Sequence, residues 1–122
     1  FIDDLNQDYI TKLKNNIAII YRNYNKKTDI NEIIEFKKKC KKNNRPFFLS
    51  NNIKVATRLG LNGVYIPAFN NKINLNAYRR KNFLILGSAH SIKEIIIKEK
   101  QGVDCIFLSP LFLTSKSKKF LG

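Results

Sequence analysis

The stretch "GSAHS", Gly87 to Ser91, holds the single histidine of a 122-residue chain. Imidazole is the side chain that exchanges protons near neutral pH, which makes His90 the first candidate for acid/base chemistry. Ser88 offers a small hydroxyl two residues earlier, suited either to binding a ligand or to satisfying the turn. The bland alternative for His90 is a loop residue ahead of a helix, because Ser91 and Glu94 have the spacing of a capping box and need no help from it. Arg22 follows the apolar run "IAIIY". Its guanidinium is suited to gripping a phosphate bidentately or, less informatively, to pairing with a nearby acid. Cys40 and Cys105 lie far apart and show neither metal-ligand spacing nor a disulfide framework, which points to a reducing compartment and a cytoplasmic protein.

These residues need elements to carry them. Continuous apolar runs recur at "IAIIY" (17–21), "PFFL" (46–49), "GVYI" (63–66), "FLIL" (83–86) and "VDCIFL" (103–108), as strands buried on both faces require. "FID" at the start reads as the tail of another strand. Helical spacing alternates with the runs: "LNQDYITKLKNN" with Leu5, Tyr9 and Leu13 on one face, "INEIIEFKKKCKK" capped by Asp29, "NNIKVATRLGL" closed near Gly60, and 91–101 ending at Gly102. "FNNKINLNAYRRKN" reads as a polar connection with at most one irregular helix. Repeated strand–helix units imply a parallel α/β sheet, either doubly wound or a (β/α)₈ TIM-barrel type. No GxGxxG or GxxxxGK[ST] follows any strand. Polar residues do recur just past strand ends: Arg22, Ser50 to Asn52, Ser88 with His90, and Ser109 with Thr114. In a barrel such positions converge on one rim, so the barrel is favoured.

Composition bounds the remaining classes. The length suits one domain, and 43% hydrophobic content is ordinary. No apolar run approaches the ~20 residues a membrane helix needs, and "FIDDLNQD" lacks the pattern of a signal peptide. A net charge of +14 invites a nucleic-acid reading. That reading is set aside, because Lys outnumbers Arg 18 to 5 and Asn and Ile are inflated alongside Lys, as A/T-rich coding would produce. Arg forks and aromatic stacking platforms do not cluster. The densest basic run, "FKKKCKKNNR", is read as a solvated helix end.

Three blocks then resemble the thiamine phosphate synthase/TenI family. "FFLSNNIKVATRLGLNGVYI" resembles that family's "liNDrvdlAlelgadGvHl" segment. "LILGSAHSIKEIIIKEKQGVDCIFLSPLFLTSKSK" is similar to its "iiGvSaHsleEa…a…GaDYigfGPvfpTxTK". "AIIYRNY" falls where the "vQLREK" strand end belongs. The resemblance implies a (β/α)₈ barrel of which this chain covers about strands 1 to 6, as a single and incomplete α/β-barrel domain over 1–122. It also implies thiamine biosynthesis: a transferase joining a pyrimidine diphosphate to a thiazole phosphate with Mg²⁺, a metal-free thiazole tautomerase, or a catalytically silent binder of such ligands.

On the family pattern, His90 is the catalytic candidate, through the shared S-x-H-S motif. Arg22, Ser50, Asn51, Asn70, Ser88, Thr114 and Lys116 are the substrate-binding candidates, Lys116 in one of two registers that "TSKSK" allows. The family's two carboxylates fall on Asn51 and near Asn70, and between Glu35 and Glu94 there is no Asp or Glu. Mg²⁺ prefers charged oxygens, so this pattern implies a degraded cofactor site and assigns no metal ligand. Ile20 and Tyr24 replace the glutamine and lysine of "QLREK", and Tyr65 replaces a histidine. The expected partner is a phosphorylated pyrimidine or thiazole, with no nucleic acid and no membrane; a homo-oligomer is left open.

Overall fold

The structure is a computed structural model that describes residues 1–14, 16–23 and 29–108. Five strands, β1 (Ile19–Tyr21), β2 (Phe47–Ser50), β3 (Gly63–Ile66), β4 (Leu84–Ala89) and β5 (Cys105–Leu108), form one parallel sheet in the order β1-β2-β3-β4-β5. Sequential order without a switch point is that of a partial barrel, not of a doubly wound sheet. The "FID" strand contracts to one residue, Ile2, whose N–H donates to the Ile20 carbonyl and whose carbonyl accepts from Arg22 N–H beside β1.

Helices α1 (Asp8–Thr11), α2 (Ile30–Lys42), α3 (Ile53–Arg58) and α4 (Ile92–Lys100), with a 3₁₀ turn over Asn74–Tyr78, link or precede the strands. α1 is far shorter than the 5–16 pattern suggested: Asn6 Oδ1 accepts from Asp8 N–H at 2.9 Å at its start, but the carbonyls that would continue it are taken elsewhere. Arg45, 2% exposed, donates to the carbonyls of Ile10, Leu13, Lys14 and Ile17 at 2.7–2.9 Å. The basic run is therefore not a wholly solvated helix end. Its arginine turns inward and gathers the carbonyls of the α1–β1 connection, which satisfies groups a short helix leaves orphaned.

Alternation along the strands divides the core. Ile19, Tyr21, Phe47, Leu49, Val64, Ile66 and Ile85 pack beneath the helices with Ile33, Phe36, Cys40, Ile53 and Ala56. Ile20, Phe48 and Tyr65, with Leu86 against them, form a second cluster on the opposite face. Because side chains alternate at every residue, the same inner face receives Arg22, Ser50 and Ser88, each two positions beyond one of those apolar residues. Gly63 keeps that face open: a Cβ there would lie 2.0 Å from the Leu84 carbonyl oxygen and 2.7 Å from the Phe48 ring.

On α4 burial does not follow apolarity: Ile92 is 77% exposed and Ile96 is exposed too, while Lys98 and, just past the helix, Gln101 are fully buried. Lys98 passes its stem across Gly87, where a Cβ would come within 2.9 Å of Lys98 Cδ. Its Nζ donates to the Asn70 carbonyl at 2.8 Å, and Gln101 Nε2 donates to the carbonyls of Asn70 and Lys72. Burial pulls the Lys98 ammonium below its usual pKa, and Glu94 one turn away partly offsets this.

Candidate functional site

The strand β4 runs further than "FLIL", through Gly87, Ser88 and Ala89, so most of "GSAHS" is strand rather than loop. His90 is the bend residue that follows, and Ser91 caps α4, its Oγ accepting from Glu94 N–H at 3.2 Å. The return bond of the capping box reaches one residue further back than usual: Glu94 Oε1 accepts from the backbone N–H of His90 at 2.6 Å. The box thus fixes the backbone that carries the imidazole.

At this rim, Arg22, Ser88 and His90 wall one cavity of about 520 Å³ together with Tyr65, Phe107 and Glu94. They come from the ends of β1 and β4, brought together because parallel strands end on the same side. Phe1, Phe69, Pro67 and Ala68 complete its wall. Arg22 lies with its guanidinium carbon 4.3 Å from the centroid of the Phe1 ring. The Tyr65 ring meets Phe1 edge-on at 4.9 Å and stacks with Phe107 at 6.3 Å. Tyr65 Oη donates to Ser88 Oγ at 2.7 Å, with both side chains buried. One end of this cavity is cationic, its walls are aromatic, and hydroxyl and imidazole groups face it. Such an arrangement suits a planar ring bearing an anionic substituent.

Asn51 and Asn70 lie elsewhere. They line a second cavity of about 480 Å³ with Asn52, Lys54, Lys72 and Tyr78. Asn70 Nδ2 donates to Asn51 Oδ1 at 2.7 Å, and Asn70 Oδ1 accepts from Lys72 N–H at 2.9 Å. Asn51 takes a left-handed φ of 65°, a conformation asparagine tolerates better than most residues. Ser50 ends β2 beside Tyr65 in the ladder and is buried, but it belongs to the wall of neither cavity. Thr114 and Lys116, with Ser109 and Tyr24, lie outside the described residues.

The donor set does not fit Mg²⁺. Both amide oxygens of the Asn51–Asn70 pair already accept N–H groups, neither residue carries charge, and two lysines share the cavity. Among the described residues no three His, Cys, Asp or Glu side chains gather in one place. A hard dication needs charged oxygens, and here it would meet ammonium groups instead.

Tyr65 and the aromatic walls are what the sequence left unassigned. Tyr65 had been placed only as a substitute for a family histidine, and its inward position in "GVYI" follows from strand alternation. Its bond to Ser88 depends on a neighbouring strand, which no local pattern encodes.

Residues 10–120 match the family model described as thiamine monophosphate synthase. Over 80 residues the chain is 32% identical to the thiamine-phosphate synthase of Bacillus licheniformis, a match covering 65% of this chain and 35% of that protein. Its fold is similar to that of a thiamine phosphate pyrophosphorylase from Pyrococcus furiosus, with a TM-score of 0.59 at 23% identity, covering 75% of this chain and 46% of that one. The chain thus spans about a third of the curated relative and under half of the solved structure.

Proposed function

Because the chain belongs to the thiamine monophosphate synthase/TenI family, we propose that it carries the rim site of a barrel that binds a phosphorylated thiazole or pyrimidine of thiamine biosynthesis, and that its chemistry is proton transfer at His90 without Mg²⁺ at Asn51 and Asn70. One observation carries this reading: Arg22, Ser88 and His90 wall a single cavity at the carboxyl ends of parallel strands. In it, Arg22 holds the phosphate through paired N–H donors, which suits a guanidinium better than an ammonium. The aromatic rings of Tyr65 and Phe107 flank a planar heterocycle and exclude water from it. His90, held by the Glu94 carboxylate on its backbone N–H, takes a proton from one atom of the ring and returns it to another. No charged leaving group develops in such a reaction, so no metal is required to neutralise one. The amide pair Asn51–Asn70 then acts as a clasp between the loops after β2 and β3.

The reaction is tested by incubating the full-length protein with thiazole phosphate tautomer in D₂O and following proton exchange by NMR. The wild type should exchange at the ring carbon at a rate unaffected by EDTA, and His90→Ala should lower that rate at least 100-fold, in line with the usual worth of a general acid–base group. Exchange that persists in His90→Ala would sink the assignment. A second reading, a transferase joining pyrimidine diphosphate to thiazole phosphate, is favoured by the 32% identity to a thiamine-phosphate synthase. Pyrophosphate release that requires Mg²⁺ would decide for it. The proposed setting is the cytoplasm; among the described residues no helix is long and apolar enough to cross a membrane.

A further inference from the structure

The Tyr65–Ser88 pair has a proton left over. Two hydroxyls carry two hydrogens, and their mutual bond at 2.7 Å uses one. Whichever oxygen donates, one O–H remains, and among the described residues neither oxygen has a further protein partner. Tyr65 is 4% exposed and Ser88 8%, and both line the rim cavity with Arg22 and His90. A buried hydroxyl with an unused proton needs an acceptor, because leaving it unmade is costly. The Tyr65 ring is held by Phe1 edge-on and by Phe107 face-on, so the phenol oxygen has little freedom to seek an acceptor elsewhere.

We propose that Tyr65 and Ser88 act together at the cavity wall, with Tyr65 the positioning residue: the phenol O–H is spent on Ser88 Oγ, which leaves the Ser88 O–H to donate to an acceptor of the ligand, a ring nitrogen or an oxyanion. The proposal rests on the reading above that the cavity binds a planar phosphorylated ligand. Polarisation along the hydroxyl–hydroxyl bond strengthens the donor, so the phenol oxygen contributes to binding through Ser88, separately from the contact its ring makes.

The test is a double-mutant cycle on the full-length protein, with thiazole phosphate as the probe and affinity read by calorimetry. Tyr65→Phe keeps the ring and removes the oxygen, and Ser88→Ala removes the other half. Each should weaken binding about tenfold, the order of one hydrogen bond. The double variant should be no weaker than the worse single, because a donor already broken cannot be lost twice. Ser88→Thr should restore most of the affinity. Losses that add in the double variant, or a Tyr65→Phe protein that binds like wild type while its Tm falls, would make the bond purely structural and overturn the proposal. A wild-type protein that does not bind thiazole phosphate would overturn the ligand reading and this proposal together; binding that is indifferent to both substitutions overturns this proposal alone.

Discussion

Asparagine at 51 and 70 differs from aspartate by one atom per side chain, and that atom sets whether the pair bonds to itself or repels. With amides, the pair bonds to itself at 2.7 Å. With two carboxylates, the same closeness would repel, and a divalent ion between them would relieve the repulsion. Asn51→Asp/Asn70→Asp should therefore gain Mn²⁺ binding, at least tenfold tighter than wild type by titration of the ion's paramagnetic signal. Equal affinity would mean that the backbone, or Lys54 and Lys72, governs the cavity instead. His90 makes the complementary case. It sits half-buried at a bend and packs into no core cluster, so His90→Ala should shift stability by no more than about 0.5 kcal/mol in a urea titration. Arg22, Ser88 and His90 were legible in the sequence because each is a polar residue just past an apolar run. Asn51 and Asn70 were legible too, but their separation from His90 was not, since it depends on which way two loops turn after leaving the sheet.

At the scale of elements, strands were readable because burial on both faces makes them apolar throughout: β1, β2 and β3 are buried at every position. Helices were less so. α4 carries Ile92 and Ile96 outward and a lysine inward, because Lys98 and Gln101 find backbone carbonyls of the loop after β3, a tertiary reward that overrides helical patterning. Two predictions belong here. Gly63→Ala places a methyl 2.0 Å from a carbonyl oxygen of the paired strand, which cannot yield without breaking the β3–β4 ladder. It should cost more than about 3 kcal/mol by denaturant unfolding, beyond ordinary overpacking; a loss under 1 kcal/mol would mean the strands separate freely. The second concerns Cys40 on α2, 1% exposed, whose thiol burial pushes up to about 11 against an ordinary 9.0, with Arg45 opposing. A raised folded pKa means that the unfolded chain loses its proton first. The contribution is therefore complete below pH 9.0 and is lost as pH climbs through about 11, a change on the order of 2–3 kcal/mol. Lys98, whose pKa is lowered, gives stability that rises with pH up to its ordinary value of 10.5, so the two oppose each other there. Cys40→Ala isolates the thiol. The variant should be less stable at pH 8 but lose less on going from pH 9 to 11 than wild type does, and parallel curves would contradict the assignment.

For the whole molecule the question is what a net charge of +14 does. Nucleic-acid surfaces work through arginine forks and flat aromatic platforms, and the structure engages three of the five arginines otherwise. Arg45 is buried on four carbonyls, Arg79 bonds Asp104 at 3.0 Å along with the Phe83 and Gly102 carbonyls, and Arg22 faces the Phe1 ring in the rim cavity. Phe36 and Phe47 are in the core, where no base could stack on them. What remains outside is mostly lysine, including Lys38, Lys41 and Lys42 on the outer side of α2, with Arg58 and Arg80 as isolated exposed arginines. Diffuse ammonium charge attracts a polyanion weakly and without a defined footprint, whereas a built interface neutralises several phosphates at once. The two cases differ in the steepness of salt dependence, about 0.9 in log K per phosphate neutralised on duplex DNA. Affinity for a short duplex, measured between about 50 and 200 mM salt, should fall with a log–log slope shallower than about −3 and show no dependence on sequence. A slope near −6 or steeper would require a dedicated phosphate-binding surface and would return nucleic acid to the list of partners. The expected shallow slope leaves the charge as a property of composition, with the rim cavity as the proposed site for a specific anion.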